Sequence, residues 1–260
     1  MRKSAAVAGV RCGLTNEISD GVAWLTLDRP AAGNRVTEAL AQALCDAAAA
    51  IELDDTVSVV VLAGSGASFC LGVEEGRPHT AKWHRHIDWV DAIARLSRPV
   101  VAVVHGDAFD EGLELALACD LRVASSRARF RMAQLGDGRL PSHGGTQRLP
   151  RLVGRMRALD MLLTGCTIDA ASAEAMGLVS RMAPASRFAS VRDALVADLR
   201  SKGPVALRYA KEAVLKGTDL TLDQGIRLEE DLYVLLQTTH DRQEGVRAFL
   251  EKRRPMFRGK

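Results

Sequence analysis

The chain has 260 residues, of which 47% are hydrophobic and only 4% aromatic, so aliphatic side chains must fill any large core. Its formal net charge of +3, from 35 basic and 32 acidic residues, does not favour nucleic-acid binding. The sequence shows no long apolar run, no secretory signal and no CxxC spacing among its five scattered cysteines. We therefore expect no membrane span, disulfide framework or metal site, and a reducing, cytoplasmic compartment.

The first part of the chain alternates strands and a helix. Residues 1–15 have little pattern and are expected to be frayed or to form a short edge strand. The segment VAWLTL, residues 22–27, is predicted to be a strand, and residues 57–62 a second, buried strand. Between them Thr37 can cap a helix over residues 38–53, where apolar residues recur at helical spacing.

A glycine-rich turn, AGSGASFCLGVEEG, follows the second strand. It does not fit a dinucleotide-binding loop, because G-x-G-x-x-G requires a glycine where Phe69 stands. A helix over residues 82–96 is expected next, and it contains two tryptophans. His84 and His86 lie two residues apart and cannot share one helix face, so a metal-binding pair is not expected there.

Residues 98–151 form the stretch around which the chain is organised. Pro99 ends the preceding helix, and the VVAVV that follows is predicted to be a buried strand. A helix is expected from Glu111, with acids in its first turn, where they suit the positive end of the helix dipole. The rest of this helix is apolar on nearly every side, so the acids must face a cavity or a partner. Beyond it, Asp120 is expected to be structural and His143 to be a solvated loop residue.

The remainder of the chain is predicted to be mainly helical. Helices are expected over residues 156–163 and 167–176, with a short strand at Leu178-Val179. The change from mixed elements to helices predicts an α/β core over residues 1–190 and a helical region over 191–260. The predicted helices of the last part cover about residues 188–201, 204–216, 222–238 and 242–252.

Two segments resemble the crotonase superfamily, which is the enoyl-CoA hydratase/isomerase family. GDAFDEGLELALACD is similar to the family pattern G-x-A-x-G-G-G-x-E-L-A-L-A-C-D, and GGTQRLPRLVG, residues 144–154, matches the family outright. The resemblance covers roughly Val22 to the C-terminus and implies the ClpP/crotonase-like spiral of ββα turns, whose C-terminal helices pack at a trimer interface. The earlier glycine-rich turn is also similar to the family loop G-x-G-x-x-F-C-A-G-A-D, at Gly64, Gly66, Phe69, Cys70 and Gly72.

The resemblance implies an oxyanion hole that binds a thioester carbonyl through two backbone N–H groups. Carried over to this sequence, these donors are the amides of Leu71 and Glu111. Asp110 and Glu111 replace two glycines of the family, which restricts the backbone and adds negative charge. Basic side chains near Arg29 and Arg35, together with the basic tail of a neighbouring subunit, are expected to contact the coenzyme A phosphates. The residues expected to contact the substrate are Ser68, Leu71, Gly72, Val73, Glu74, Arg29 and Arg35.

Three side chains are candidates for the chemistry: Glu114, Gln134 and Glu111. Hydratases of the family use two glutamates; the first aligns with Glu114, whereas Gln134 stands at the second, where it can hold a water but cannot exchange a proton. Glu111 and Glu114 lie three residues apart on one helix face, so both carboxylates can approach the pocket, and one pKa would then rise. In the alternative picture Glu111 supplies only its amide and turns its carboxylate outwards.

These features imply an acyl-CoA enzyme that adds water across a 2,3-double bond, with the coenzyme A thioester as substrate and no cofactor or metal. Two alternatives stay open: double-bond isomerisation or decarboxylation at the same site, and a non-catalytic acyl-CoA-binding protein. The amphipathic last third and the resemblance together predict a homo-oligomer, either a trimer or a hexamer of two trimers. Nucleic-acid and membrane partners are not expected.

Overall fold

The computed structural model describes residues 12–74 and 88–260, which form an α/β fold. The strands within these residues are β1 Leu14–Ser19, β2 Val22–Leu27, β3 Val59–Gly64, β4 Val100–Val104, β5 Ala108–Phe109, β6 Leu121–Ser125, β7 Arg129–Arg131, β8 Ile168–Asp169 and β9 Arg181–Ala183. A six-stranded sheet has the order β1-β2-β3-β4-β6-β9, in which β1 is antiparallel to β2 and the remaining neighbours are parallel. A small sheet joins β5, β7 and β8.

Helices cover both faces of the six-stranded sheet. In the described part of the chain they are α1 Glu38–Leu53, α2 Trp89–Ala94, α3 Glu111–Leu117, α4 Gly145–Val153, α5 Arg155–Thr164, α6 Ala170–Ala175, α7 Phe188–Arg200, α8 Pro204–Gly217, α9 Leu222–Gln237 and α10 His240–Leu250. Short 3-10 helices span Pro30–Ala32 and Gln134–Asp137.

Alternate residues of the central strands enter two separate cores. Val60 and Leu62 of β3 face the larger core, which α1, α2 and α3 close. Val59 and Val61 face a smaller core on the opposite side, which α7 closes with Leu195 and other apolar residues. Because strand side chains alternate between the two faces, a strand covered on both sides is apolar throughout, as VVVL is.

The last helices leave large apolar side chains in solvent. Asp241 at the start of α10 anchors the chain end, accepting from the backbone N–H groups of Arg258 and Gly259 at 2.7 Å each. Apart from this anchor, the helices α8, α9 and α10 cover little of the sheet. Their exposed apolar residues are Val214, Leu215, Leu222, Ile226, Tyr233, Val234, Leu235, Val246, Phe249 and Leu250.

Several predicted elements have the expected bounds. The strand at residues 22–27 and the helix at 38–53 agree with the structure, and the Thr37 hydroxyl accepts from the N–H of Leu40 at 3.2 Å, as a helix cap does. The four final helices also agree to within about two residues, which is the ordinary uncertainty of helix ends. The predicted helix at 82–96 lies partly outside the described residues, and its described part contains α2.

Other predictions need correction. The segment predicted as a helix over residues 167–176 begins with β8, because Ile168 pairs with Phe130 of β7, and the helix α6 follows it. The strand predicted at Leu178-Val179 lies instead at β9, beside β6. The helix α4 was not predicted, since Gly144-Gly145 and Pro150 are turn signals; burial of Leu149 and Val153 stabilises it nonetheless.

No helix of the described residues is long and apolar enough to cross a membrane. The same residues contain no group of three or more His, Cys, Asp or Glu side chains placed to hold a metal ion. All five cysteines carry free thiols.

Candidate active site

Glu114 lies at the centre of the site, in the first turn of α3, with no solvent exposure. Its Oε1 accepts two backbone N–H groups, from His143 and from Gly145, each at 2.8 Å. A Cβ on Gly145 would lie 3.0 Å from that same oxygen, which is tighter than an ordinary van der Waals contact. The backbone N–H groups of His143 and Gly145 therefore hold the Glu114 carboxylate in a fixed orientation.

The environment of Glu114 alters its proton affinity. Burial raises the pKa of Glu114 from 4.5 to about 7, against the opposing effect of the N–H groups of Gly145 and His143. The negative charge of Glu111 also contributes to this rise in pKa. A carboxyl group with such a pKa exchanges protons near neutral pH, which is what a general acid–base group requires.

Gln134 begins the short helix after β7 and is also completely buried. Its Nε2 lies 3.5 Å from Glu114 Oε2, at the outer limit of a hydrogen bond. Its Oε1 is buried and accepts no hydrogen bond from any described residue. The structure thus brings the two residues together as predicted and leaves an acceptor at the site for a further donor.

His143 is buried, which corrects the prediction of a solvated loop histidine. Its ring lies against the indole of Trp89, with ring centroids 5.1 Å apart, and its backbone N–H binds Glu114. Asp120 is structural, as predicted, since Oδ2 accepts from the Val100 N–H and pairs with Lys211 Nζ, at 2.7 Å each.

Two glycines allow the chain before and within α3 to pack closely against residues 67–70. A Cβ on Gly112 would lie 2.1 Å from the Cys70 carbonyl oxygen, and one on Gly106 would lie 1.9 Å from that of Ala67. The Phe109 N–H also donates to the Cys70 carbonyl at 3.0 Å. Only glycine permits such a close backbone approach, so these glycines of the family pattern have a steric role in this chain.

The loop amide predicted to bind the thioester is not available. The N–H of Leu71 donates to the Gly33 carbonyl at 3.0 Å, which corrects the prediction that Leu71 supplies the first donor. Two residues later, the Val73 N–H faces the start of α3 and donates to Glu111 Oε2 at 3.3 Å. The loop amide that faces the start of α3 is therefore that of Val73, which sequence reasoning had placed only among the substrate contacts.

Glu111 contributes both its amide and its carboxylate to this region. In the described part of the chain no carbonyl or side chain accepts from the Glu111 N–H. Its carboxylate is 5% exposed and lies inside the site, so the picture in which it turns outwards is wrong. Oε1 pairs with Arg139 Nη1 at 2.8 Å, while Oε2 accepts from Val73.

Asp110, the other departure from glycine, adopts a left-handed backbone with φ of 52°. Its Oδ1 accepts from the Ala133 N–H at 2.7 Å, and its own N–H donates to the Arg131 carbonyl at 2.8 Å. Burial raises the pKa of Asp110, a shift that the Ala133 hydrogen bond opposes. Asp110 thus ties α3 to the segment that carries Gln134.

The predicted phosphate-binding arginines support the loop of residues 69–74. Arg35 Nη1 donates to the carbonyls of Leu71 and Val73, at 2.9 and 3.1 Å. Arg29 pairs with Glu74 Oε1 at 2.9 Å and keeps a quarter of its side chain exposed. Contact between either arginine and a coenzyme A phosphate stays a prediction.

Sequence reasoning missed Asn34 and Arg139. Asn34 is completely buried, and its Nδ2 donates to the carbonyls of Ser65 and Ser68 at 2.8 Å each, which fixes the start of the same loop. Asn34 has a left-handed φ of 56°, a conformation that asparagine tolerates in turns. Nothing in the spacing of Arg139 indicates that it reaches Glu111, 28 residues away in sequence.

Comparison with known proteins agrees with this geometry. The family model described as enoyl-CoA hydratase/isomerase matches residues 17–260. (E)-benzylidenesuccinyl-CoA hydratase of Thauera aromatica is 36% identical over 253 residues, which are 95% of this chain and 99% of the relative. The 2,3-dehydroadipyl-CoA hydratase of Escherichia coli is 37% identical over 245 residues, 92% and 96% of the two chains. The crystal structure of enoyl-CoA hydratase from Bacillus anthracis has a TM-score of 0.91 at 32% identity, covering 95% of this chain and 100% of that one, which confirms the predicted crotonase fold.

Proposed function

Because the chain belongs to the enoyl-CoA hydratase/isomerase family and is a hydratase-type acyl-CoA enzyme, we propose that Glu114 activates the water that it adds to a 2,3-enoyl thioester. The observation that carries this assignment is a buried carboxyl group with a pKa of about 7, held by two backbone N–H groups. Such a group is ionised in about half of the molecules at neutral pH, so it can both take and return a proton.

Gln134 helps to place the water. Glu114 Oε2 and Gln134 Oε1 are two acceptors on buried side chains that lie beside each other. A water between them donates one hydrogen to each, which leaves an oxygen lone pair to attack C3 of the enoyl group. Glutamine accepts a hydrogen bond without ionising, so its role is to orient the water.

The Val73 and Glu111 amides hold the thioester oxygen. As hydroxide adds to C3, the water proton passes to Glu114 and charge moves to this oxygen, forming an enolate. The Glu114 carboxyl group then returns the proton to C2, which completes the addition of water. One backbone donor of this kind typically contributes about 3–4 kcal/mol to the transition state.

Hydration is favoured over isomerisation, because the two relatives whose names specify a substrate are both called hydratases. The test follows the loss of enoyl absorbance of crotonyl-CoA and identifies the product by mass. A product heavier by one water supports hydration, whereas an isomer of unchanged mass contradicts it. Binding without turnover across a panel of enoyl-CoA chain lengths would contradict the catalytic assignment of Glu114.

We also propose that Arg29 and Arg35, with the basic chain end of a neighbouring subunit, attract the coenzyme A phosphates. The last twenty residues carry seven basic and three acidic side chains. Attraction between exposed charges is screened by salt, so the affinity for acyl-CoA should fall as ionic strength rises. An affinity that is independent of salt would contradict this proposal.

The exposed apolar residues of α8–α10 support a homo-oligomer, either a trimer or a hexamer of two trimers. Large apolar side chains that are exposed in such number on three successive helices are typical of helices that pack against a partner. Sedimentation velocity at micromolar concentration should show the trimer or hexamer, and a stable monomer would contradict it. The free thiols of all five cysteines support a cytoplasmic location, which fractionation of the producing cell would test.

A further inference from the structure

The carboxylate of Glu111 occupies the space in which a thioester oxygen is expected. Its Oε2 is the acceptor of the Val73 N–H at 3.3 Å. A Cβ on Gly72 would lie 2.6 Å from this oxygen and 3.7 Å from the Glu111 nitrogen, so the space beside Gly72 borders both backbone donors. The side chain of one hole-forming residue therefore fills the hole.

The occupying atom resembles the species that the hole is expected to stabilise. A carboxylate oxygen carries negative charge and accepts hydrogen bonds in the plane of its carbon, as an enolate oxygen does. Because the carboxylate oxygen of Glu111 accepts from the Val73 N–H, this amide can bind an anionic oxygen. A thioester oxygen in the ground state is nearly neutral and competes for this amide less well.

Arg139 provides a second place for the carboxylate. Its guanidinium binds Glu111 Oε1 at 2.8 Å and is 29% exposed, whereas the Glu111 carboxylate is 5% exposed. It also pairs with Asp137, an exposed residue, at 3.3 Å. Rotation of the Glu111 side chain towards this partly solvated guanidinium would clear the hole while the ion pair is kept.

We propose that Glu111 is a specificity-determining residue whose carboxylate must be displaced from the oxyanion hole before a thioester oxygen can bind. This inference rests on the proposed function and concerns the same site. Displacing the carboxylate costs the same free energy whether a thioester or an enolate takes its place, so the carboxylate lowers the affinity for every ligand that brings a carbonyl oxygen into the hole.

The test compares two ligands that differ only at the carbonyl. Butyryl-CoA is a saturated thioester that binds without reacting, and the thioether S-butyl-CoA lacks the oxygen that enters the hole. Calorimetric titration of the wild-type protein and Glu111→Ala gives both affinities. We expect Glu111→Ala to bind butyryl-CoA about tenfold more tightly, because the thioester no longer displaces a charged acceptor. The affinity for S-butyl-CoA should not change.

Two further variants complete the test. Asp137→Asn is the matched control, since its carboxylate binds the same Arg139 but is 71% exposed and lies outside the hole; it should change neither affinity. Glu111→Gln keeps the size of the side chain and loses the ion pair, so it should give a smaller gain that is again confined to butyryl-CoA. Glu111→Gln also keeps the inference testable if the Glu111→Ala protein does not fold.

Three results would overturn the inference. Equal tightening of both ligands would assign the effect to general electrostatics, and unchanged binding of butyryl-CoA would show that the carboxylate does not compete. Failure of the wild-type protein to bind either ligand would overturn the proposed function together with this inference. Binding of both ligands without a selective effect overturns the inference alone, so the two failures are distinguishable.

Discussion

Two carboxylates one helical turn apart illustrate how different surroundings produce different chemistry. Glu114 is held by backbone N–H groups of residues 142–145, without an ion pair among the described residues, and its pKa rises to about 7. Glu111 is equally buried but meets the guanidinium of Arg139 at 2.8 Å. The raised pKa lets Glu114 exchange a proton near neutral pH, whereas both oxygens of Glu111 are engaged by Arg139 and Val73.

The difference teaches that a buried acid near a reaction centre need not be an acid–base catalyst. The sequence placed Glu111 and Glu114 on one helix face, and the expectation that one of the two pKa values rises followed from that spacing. Glu111 does act on Glu114, because its charge is one cause of the raised pKa. Its own oxygens, however, accept from the Val73 N–H and from Arg139, so both are already engaged.

The strongest expected effect separates the two carboxylates by activity. Glu114→Gln should lower kcat/KM for crotonyl-CoA by about 10²–10⁴-fold, the usual contribution of a positioned acid–base group. Glu111→Gln should have a much smaller effect on turnover, since the backbone donor remains. Glu17→Gln, on the edge strand β1, is the control. A comparable loss in the Glu114 and Glu111 variants would mean that both acids exchange protons.

The second prediction concerns stability. The folded chain binds the Glu114 proton with a pKa of about 7 and the unfolded chain with one near 4.5, so the folded state holds more protons in this window. The free energy of unfolding should therefore fall as the pH rises from about 4.5 to 7. Glu114→Gln removes this loss and should stabilise the protein by about 3 kcal/mol at pH 8, but hardly at all at pH 4.5. Urea unfolding at both pH values measures it, and a pH-independent difference would contradict it.

The third prediction changes the partner of Glu114. The wild-type protein should hydrate short straight-chain enoyl-CoA slowly, and Gln134→Glu should raise kcat by about 10²-fold, the lower end of the range for an added acid. A second carboxyl group about 3.5 Å from Glu114 should also raise the Glu114 pKa further. The assay is crotonyl-CoA hydration as a function of pH. If the wild-type enzyme is already fast and gains nothing from the substitution, the absence of a second glutamate at position 134 does not limit hydration, and the prediction is wrong.

The smallest expected effect measures the coupling between the two carboxylates. The rate of crotonyl-CoA hydration should rise with pH through about 7 as Glu114 ionises, because its carboxylate is the base. Glu111→Gln removes a negative charge that raises the Glu114 pKa, so this rise should move to lower pH. Asp137→Asn, with its exposed carboxylate, should leave the profile unchanged. A profile that is identical in the wild-type protein and Glu111→Gln would place the charge of Glu111 too far from Glu114 to matter.

Much of the fold followed from local pattern. The strand at Val22–Leu27 and the helix at Glu38–Leu53 have strong periodicity and a cap, so their bounds could be read directly. The helix α4 could not, since its glycines and Pro150 are loop signals and packing against the core decides its form. The short strands β5, β7 and β8 have too few residues for any period to appear.

The sequence by itself determined the family, the buried helix that begins at Glu111, and the pairing of Glu114 with Gln134 rather than with a second glutamate. Motif spacing carries this information because the chemistry requires those residue types at those positions. Only the tertiary structure decided which loop amide is available, since Leu71 and Val73 differ in the carbonyl or carboxylate that each one meets. It also decided the orientation of the Glu111 carboxylate, which depends on Arg139, and hydrogen bonds between distant segments leave no periodic trace in a sequence.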